Sequence, residues 1–319
     1  MSNEGRSGLT RRAALGASAA ACGFAAARAT AKAPENSPAP FRYCLNTATI
    51  RGQQLGIERE IEVAAEAGYD GIEPWVSDIA AHRDGGGSID DLRKKIADAG
   101  LTVESAIGFA DWITDDDAKR EAGLEQARRD MDLLRSVGGT RIAAPPVGGR
   151  TSRIDPDAAA ERYAAMCDVG RDAGVVPQLE VWGFAATLST FAEAMYVATA
   201  AGRDNAMLLL DAYHLHRGSS GTPGDPLAGL HLLGPRAMEV FHLNDYPADP
   251  PAEQLQDRDR VLPGDGAAPL ADLFDTFRSI GFAGALSLEL FNPGLWERDP
   301  LVVAKEGLAK MKAVVEPST

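Results

Sequence analysis

Four ionisable residues stand at the ends of successive apolar runs in the second half of the chain. Glu180 lies in residues 176–181, Asp211 follows Met207 and three leucines, His242 ends residues 238–242, and Glu289 lies in residues 285–290. A lone carboxylate buried in such a run is costly unless its charge is compensated. Three carboxylates and one imidazole on neighbouring elements form a hard, mostly oxygen donor set, which one divalent cation would neutralise with room left for further ligands. Mn²⁺, Mg²⁺ or Co²⁺ suit that set, and zinc fits it less well because structural zinc sites carry thiolates or more histidines. The competing reading is a set of separate rim salt bridges with His242 as a satisfied core histidine. Each further residue in register weakens it.

The elements that must hold these residues recur as one unit. A polar-apolar helical pattern closes at a glycine and a short apolar strand follows: Gly68 before residues 71–73, Gly100 before 101–107, Gly138 before 141–143, Gly174 before 176–181, Gly202 before 207–211, Gly234 before 238–242 and Gly281 before 285–290. With an opening strand at 41–45 this predicts eight strands. Glycine suits those junctions because a helix commonly ends on a left-handed residue. Ser88 to Asp91 reads as a capping box, and Asp155-Pro156 as an N-cap followed by a first-turn proline. Alternating strands and helices imply a parallel sheet. Eight such units in about 280 residues predict a single-domain (β/α)8 TIM barrel over 41–319. An open doubly wound sheet would usually carry a glycine-rich phosphate loop after its first strand, whereas residues 46–52 here carry none. In a barrel, chemistry gathers at the C-terminal ends of the strands, where the four residues above fall. Trp75, Phe109, Trp112 and Trp182 follow strands at the same rim and could stack on a ligand or simply close the barrel top. His216 could approach the site from the loop after strand 6 but reads rather as a surface loop histidine, and His231, within residues 227–233, as a packing residue.

Residues 1–33 read as a processed address: Thr10-Arg11-Arg12, a mild Ala-rich stretch, then small-residue steps near Ala31 and Ala33. They resemble a twin-arginine signal, which predicts a periplasmic or secreted protein. Residues 34–40 have linker composition. No stretch is apolar enough for a membrane span. The whole chain carries a net charge of −14, and removing 1–33 takes away five basic residues and one acid, leaving −18. So acidic a chain repels a phosphate backbone, which argues against nucleic acid as a partner. Cys44 and Cys167, the cysteines left after such processing, form neither a disulfide framework nor a zinc spacing. Both are expected to be small buried residues.

Asp211-Ala-Tyr-His214, His242-Leu-Asn-Asp245 and Leu262-Pro-Gly-Asp-Gly266, taken with the strand-end set, resemble the xylose-isomerase-like barrels called sugar phosphate isomerases/epimerases. The resemblance covers essentially all of residues 41–315. It implies one divalent metal held by Glu180, Asp211, His242 and Glu289, with Glu180 and Glu289 also exchanging a substrate proton through an enediolate. It implies a carbohydrate substrate, with His214 on a substrate oxygen. An arginine in the loop after the strand-7 histidine would do likewise. Residues 246–254 lengthen that loop, leaving Arg258 or Arg260 for the part, with Arg260 preferred because it is nearer the Pro-Gly-Asp-Gly turn. Trp112 and Trp182 join the expected substrate contacts. Isomerisation or epimerisation is the leading expectation. A lyase, hydrolase or dehydratase acting on keto-sugars or their glycosides is the alternative, and a non-catalytic sugar-binding barrel is a third. The three-zinc endonucleases of the family need extra histidines, whereas Glu73 and Phe109 stand near the corresponding strand ends and Asp257 to Arg260 contains none. A homo-oligomer is compatible with the sequence.

Overall fold

The computed structural model describes residues 41–219 and 227–316, so the expected address and linker at 1–40 lie outside the described residues. Eight strands form: β1 (Arg42–Asn46), β2 (Gly71–Glu73), β3 (Thr102–Val103), β4 (Arg141–Ala144), β5 (Val176–Glu180), β6 (Met207–Asp211), β7 (Val240–Leu243) and β8 (Ala285–Leu288). All pairings are parallel, in the order β3-β2-β1-β8-β7-β6-β5-β4. The two ends of that sheet meet through Ala106, whose N–H donates to the Arg141 carbonyl (3.2 Å) and whose carbonyl accepts from Ala143 N (2.9 Å). The result is the (β/α)8 barrel.

The helices are α1 (Ile57–Ala67), α2 (Val76–Asp84), α3 (Ile89–Asp98), α4 (Asp117–Ser136), α5 (Pro156–Ala173), α6 (Phe191–Ala200), α7 (Ala212–Gly218), α8 (Leu270–Ile280), α9 (Pro293–Trp296) and α10 (Pro300–Val315). Ser88 Oγ accepts from Asp91 N at the start of α3, and Asp155 accepts from Asp157 N and Ala158 N ahead of Pro156 in α5. Among the described residues no helix is long and apolar enough to cross a membrane.

Strand alternation sorts the side chains into two apolar layers. Leu45, Leu208, Leu210, Phe241, Leu243, Leu286 and Leu288 face outward and pack with the helices. Cys44, Ala143, Leu209, Val240 and Ala285 face inward with Ile107 and fill the barrel centre. Because side chains repeat with period two, Asn46, Asp211 and His242 sit two residues beyond inward Cys44, Leu209 and Val240, on the same face at the mouth. Cys44 and Cys167 are buried and unpaired.

Three expectations need correction. The third strand is not a run over 101–107: β3 has two residues, and Ile107 makes an isolated bridge to Trp75 instead. Glu289 lies one residue past β8. Gly68, Gly100, Gly138, Gly174, Gly202 and Gly281 have positive φ as expected, but Gly234 does not. The segment before it is a short 3-10 turn, Ala228–Leu232, which ends on an extended Leu233. The chain therefore leaves that turn without needing a left-handed residue.

Candidate metal centre

Register brings the strand-end residues together. Asp211 on β6 lies opposite His242 on β7, and His242 lies opposite Ser287 on β8, two residues before Glu289. Asp211, His242 and Glu289 are buried, and one ligand atom from each lies within 4.8 Å of the others. His242 Nδ1 is 3.3 Å from Glu289 Oε2 and 3.9 Å from Asp211 Oδ2. Glu180 is also buried, on the wall of the adjoining cavity, but its carboxylate is not part of that three-residue cluster.

The imidazole is fixed from behind. His242 Nε2 lies 3.0 Å from Glu73 Oε2, which also accepts from Ser287 Oγ (2.7 Å) and Asn46 Nδ2 (3.0 Å). Asn46 Nδ2 reaches Glu289 Oε1 as well, at 3.2 Å. His242 Nδ1 is buried without a hydrogen-bond partner and faces the Asp211 and Glu289 carboxylates. An imidazole anchored to a carboxylate through one nitrogen and open at the other is the usual state of a metal-ligating histidine. The donor set therefore fits a divalent cation. Glu73 was not singled out as a partner from sequence, although it too is the last polar residue of an inward-facing strand.

Asp211 caps α7 by accepting from His214 N (2.8 Å), and its other oxygen accepts from Asn244 Nδ2 (2.8 Å) and Arg260 Nη1 (3.0 Å). Arg260 Nη1 also donates to Glu289 Oε2 (2.8 Å), while Nη2 donates to Asp257 Oδ1 (2.5 Å) and lies 3.0 Å from His214 Nε2. Its guanidinium stands over the rings of Tyr213 and Phe291. Arg260 is 1% exposed whereas Arg258 faces solvent, so Arg260 is the arginine that the loop brings to the site.

The loop is able to do so because Asp245 gathers it. One carboxylate oxygen accepts from Tyr246 N (2.8 Å) and Ala268 N (2.9 Å), the other from Gly264 N (3.0 Å) and Gly266 N (3.1 Å). Gly266 is required for this approach, since a Cβ there would fall 2.3 Å from Asp245 Oδ1. Gly264 turns the chain at φ +85°. These contacts account for the two glycines of the Pro-Gly-Asp-Gly motif.

Burial and neighbouring charge set the protonation of the cluster. Burial raises the Glu180 carboxyl to about 8, with the His242 charge opposing and Glu289 assisting. Burial would also raise Glu289, but the charges of His242 and Arg260 outweigh it and hold this carboxyl below the usual range. Burial alone would lower His242, yet Glu289 and Glu73 raise it well above an ordinary imidazole. His214 is held well below the ordinary range by burial, reinforced by Arg260. Two carboxylates pushed in opposite directions is the pattern that divides acid from base.

A cavity of about 190 Å³ opens beside the cluster, lined by Glu180, His214, Asp257, Arg260 and Glu289. Its remaining wall is mostly aromatic and includes Trp75, Phe109, Trp182, Phe184 and Phe291. Trp182 is thus at the cavity, but Trp112 is not. Trp112 is fully buried, donates its indole N–H to the Pro145 carbonyl (2.9 Å) and packs against Tyr163, so the expectation that it contacts substrate is corrected. His216 belongs to α7 and stacks on Tyr246 at 3.8 Å. His231 lies exposed on the 3-10 turn.

Known proteins share this architecture. An inosose isomerase of Bacillus velezensis is 26% identical over 280 residues, covering 86% of this chain and 96% of that protein. An L-ribulose 3-epimerase of Mesorhizobium japonicum is 27% identical over 250 residues, 75% of this chain and 77% of that protein. A 3-dehydroshikimate dehydratase of Pseudomonas aeruginosa is 26% identical over 269 residues, 80% of this chain but 39% of that protein. Among solved structures, the IolI protein with a zinc atom superposes with a TM-score of 0.78 at 23% identity, over 86% of this chain and 98% of its own. The family description "Xylose isomerase-like TIM barrel" matches residues 61–314, a span that holds Glu73, the clustered Asp211, His242 and Glu289, and the Asp245 loop. With the closed barrel and its buried strand-end cluster, that match places the chain in the xylose isomerase-like TIM barrel family.

Proposed function

We propose that the chain is a divalent-cation-dependent isomerase or epimerase of carbohydrate carbonyl compounds, with Glu180 and Glu289 moving the proton. One observation carries the reading: Glu289 belongs both to the cluster faced by the open Nδ1 of His242 and to the wall of the cavity that holds Glu180, His214 and Arg260. Asp211, His242 and Glu289, with Glu180 as the proposed fourth ligand, would hold a cation whose Lewis-acid charge would acidify a C–H beside a carbonyl. Mn²⁺, Mg²⁺ and Co²⁺ suit these donors. Glu180 ends β5 and Glu289 follows β8, so two intervening strands separate them around the mouth. One glutamate takes the proton from the substrate carbon and the other returns one. Return to the same carbon from the other face inverts it, and return to the neighbouring carbon exchanges carbonyl and hydroxyl. His214 and Arg260 hold substrate oxygens, and the aromatic wall excludes water. Relatives named as an isomerase and an epimerase support this reading. The relative named as a dehydratase favours elimination as the second reading, with loss of a hydroxyl after the same proton removal.

The test is product analysis by NMR in D₂O on free ketoses, with metal content measured in the wild type and variants, zinc included. Deuterium uptake with all hydroxyls retained is the expected result. Loss of a hydroxyl would establish the dehydratase reading instead. Glu180→Gln and Glu289→Gln should each lose roughly 10² to 10⁴ in turnover with metal retained. Turnover near wild type in both would reduce the glutamates to ligands. Unchanged metal content in His242→Ala would remove His242 from the site.

A further inference from the structure

The charge balance of the cavity bears on what its substrate carries. Two guanidinium groups line it, Arg150 and Arg260. Arg260 is engaged inward with Asp211, Glu289 and Asp257. Arg150 is exposed, and among the described residues no carboxylate pairs with it; its guanidinium carbon stands 5.4 Å from the Phe184 ring centroid. Its backbone is nevertheless fixed. The Arg150 carbonyl accepts from Ala186 N (2.9 Å) and the Gly149 carbonyl from Thr187 N (3.0 Å), lacing the loop after β4 to the loop after β5. In so acidic a chain, with a net charge of −14, an arginine free of carboxylates at the edge of the cavity is a cation left for a ligand.

The aromatic wall adds an independent constraint. Phe109 is 45% exposed although its ring sits 4.9 Å from Trp75 and 6.4 Å from Trp182. Such an exposed face is what the C–H surface of a bound ring or chain would cover.

We propose that the substrate is a polyhydroxy carbonyl compound bearing a carboxylate, which Arg150 grips while the carbon skeleton lies along Phe109 and the carbonyl end reaches Glu289. This rests on the reaction proposed above. The planar guanidinium fork matches the two oxygens of one carboxylate. A phosphate dianion would place a second negative charge beside Glu180, Asp257 and Glu289, with no second unpaired guanidinium among the described lining residues to meet it. Arg150 is then the residue that sets specificity between acidic and neutral substrates.

The experiment uses the protein as purified and reads quenching of Trp75 and Trp182, both on the cavity wall. The probes are D-gluconate, sorbitol and sorbitol 6-phosphate, which share a carbon chain and differ at one end. Gluconate should bind about tenfold more tightly than sorbitol, the size of one charge-assisted contact at an open site. Arg150→Gln should erase that ratio and leave Tm unchanged, while Arg150→Lys should keep part of it. A gluconate preference retained in Arg150→Gln, or absent from the wild type, overturns the proposal. Arg150-dependent preference for sorbitol 6-phosphate over gluconate also overturns it in favour of phosphate. An Arg150-dependent gluconate preference in a protein that exchanges deuterium into neither free ketoses nor keto-sugar acids would leave the carboxylate site standing and sink the reaction instead.

Discussion

Glu73 never faces the cation in this scheme, yet replacing it by glutamine should weaken metal binding about tenfold. Its Oε2 is the shared acceptor for His242 Nε2, Ser287 Oγ and Asn46 Nδ2, at 3.0, 2.7 and 3.0 Å. Glutamine keeps the shape and one carbonyl acceptor but loses the charge. A hydrogen bond to an ionised group contributes about 1.5–3 kcal/mol and a neutral one about 0.5–1.5, so the imidazole loses about 1.4 kcal/mol of anchoring. That is about a factor of ten in affinity, within the range of about 10–100 seen when the outer partner of a metal-ligating histidine is removed. The assay is competition of wild type and Glu73→Gln against a chelating indicator for Mn²⁺, with Tm measured on the same samples. An affinity within twofold of wild type at unchanged Tm would refute the reasoning, because packing alone would then be orienting His242.

Glu60 offers a test of pH dependence away from the site. It is buried on α1 with one carboxylate oxygen unpartnered, and burial, helped by Asp78 and opposed by Arg51, raises it from 4.5 to about 8. The folded state therefore holds this proton more tightly than the unfolded state, so the stability is full below about pH 4.5 and is lost as pH rises toward 8, by at most about 5 kcal/mol. Denaturant unfolding of Glu60→Gln should match wild type at about pH 4 and exceed it by a few kcal/mol at about pH 8.5; parallel curves at both values would show that the carboxyl is solvated. Export is the remaining prediction: Arg11 and Arg12 changed to lysine should retain the protein in the cytoplasm, and a mature wild-type N-terminus still at Met1 would remove the signal reading.

What the sequence made legible follows from period and length. Asp211 and His242 could be read because each ends an apolar run long enough to declare a strand, and parity then put them on one face. Glu73 ends a strand of three residues that begins with glycine, too short to show alternation, and its buried role emerged only from the contact with His242. Trp112 and Trp182 both follow strands, and nothing in a loop's sequence sets which way an indole turns. One found a backbone carbonyl inside the protein and the other a cavity wall. Arg260 and Arg258 are two residues apart in a loop without periodicity, and the folding of that loop around Asp245 decides between them.

That carboxylate gives the segment from 246 to 268 a neck. Tyr246 and Ala268 are tied to the same oxygen, so the chain leaves and re-enters the barrel at nearly one point. The entropy of closing a segment grows only slowly with its length, so the exposed and half-buried residues 247–254, which lie before the anchored Arg260, Gly264 and Gly266, can be gained or lost at little cost to β7 or α8. That stretch is in effect a cassette. The barrel can vary its rim by exchanging that exposed stretch, while Arg260 keeps the rest of the segment tied to Asp211 and Glu289.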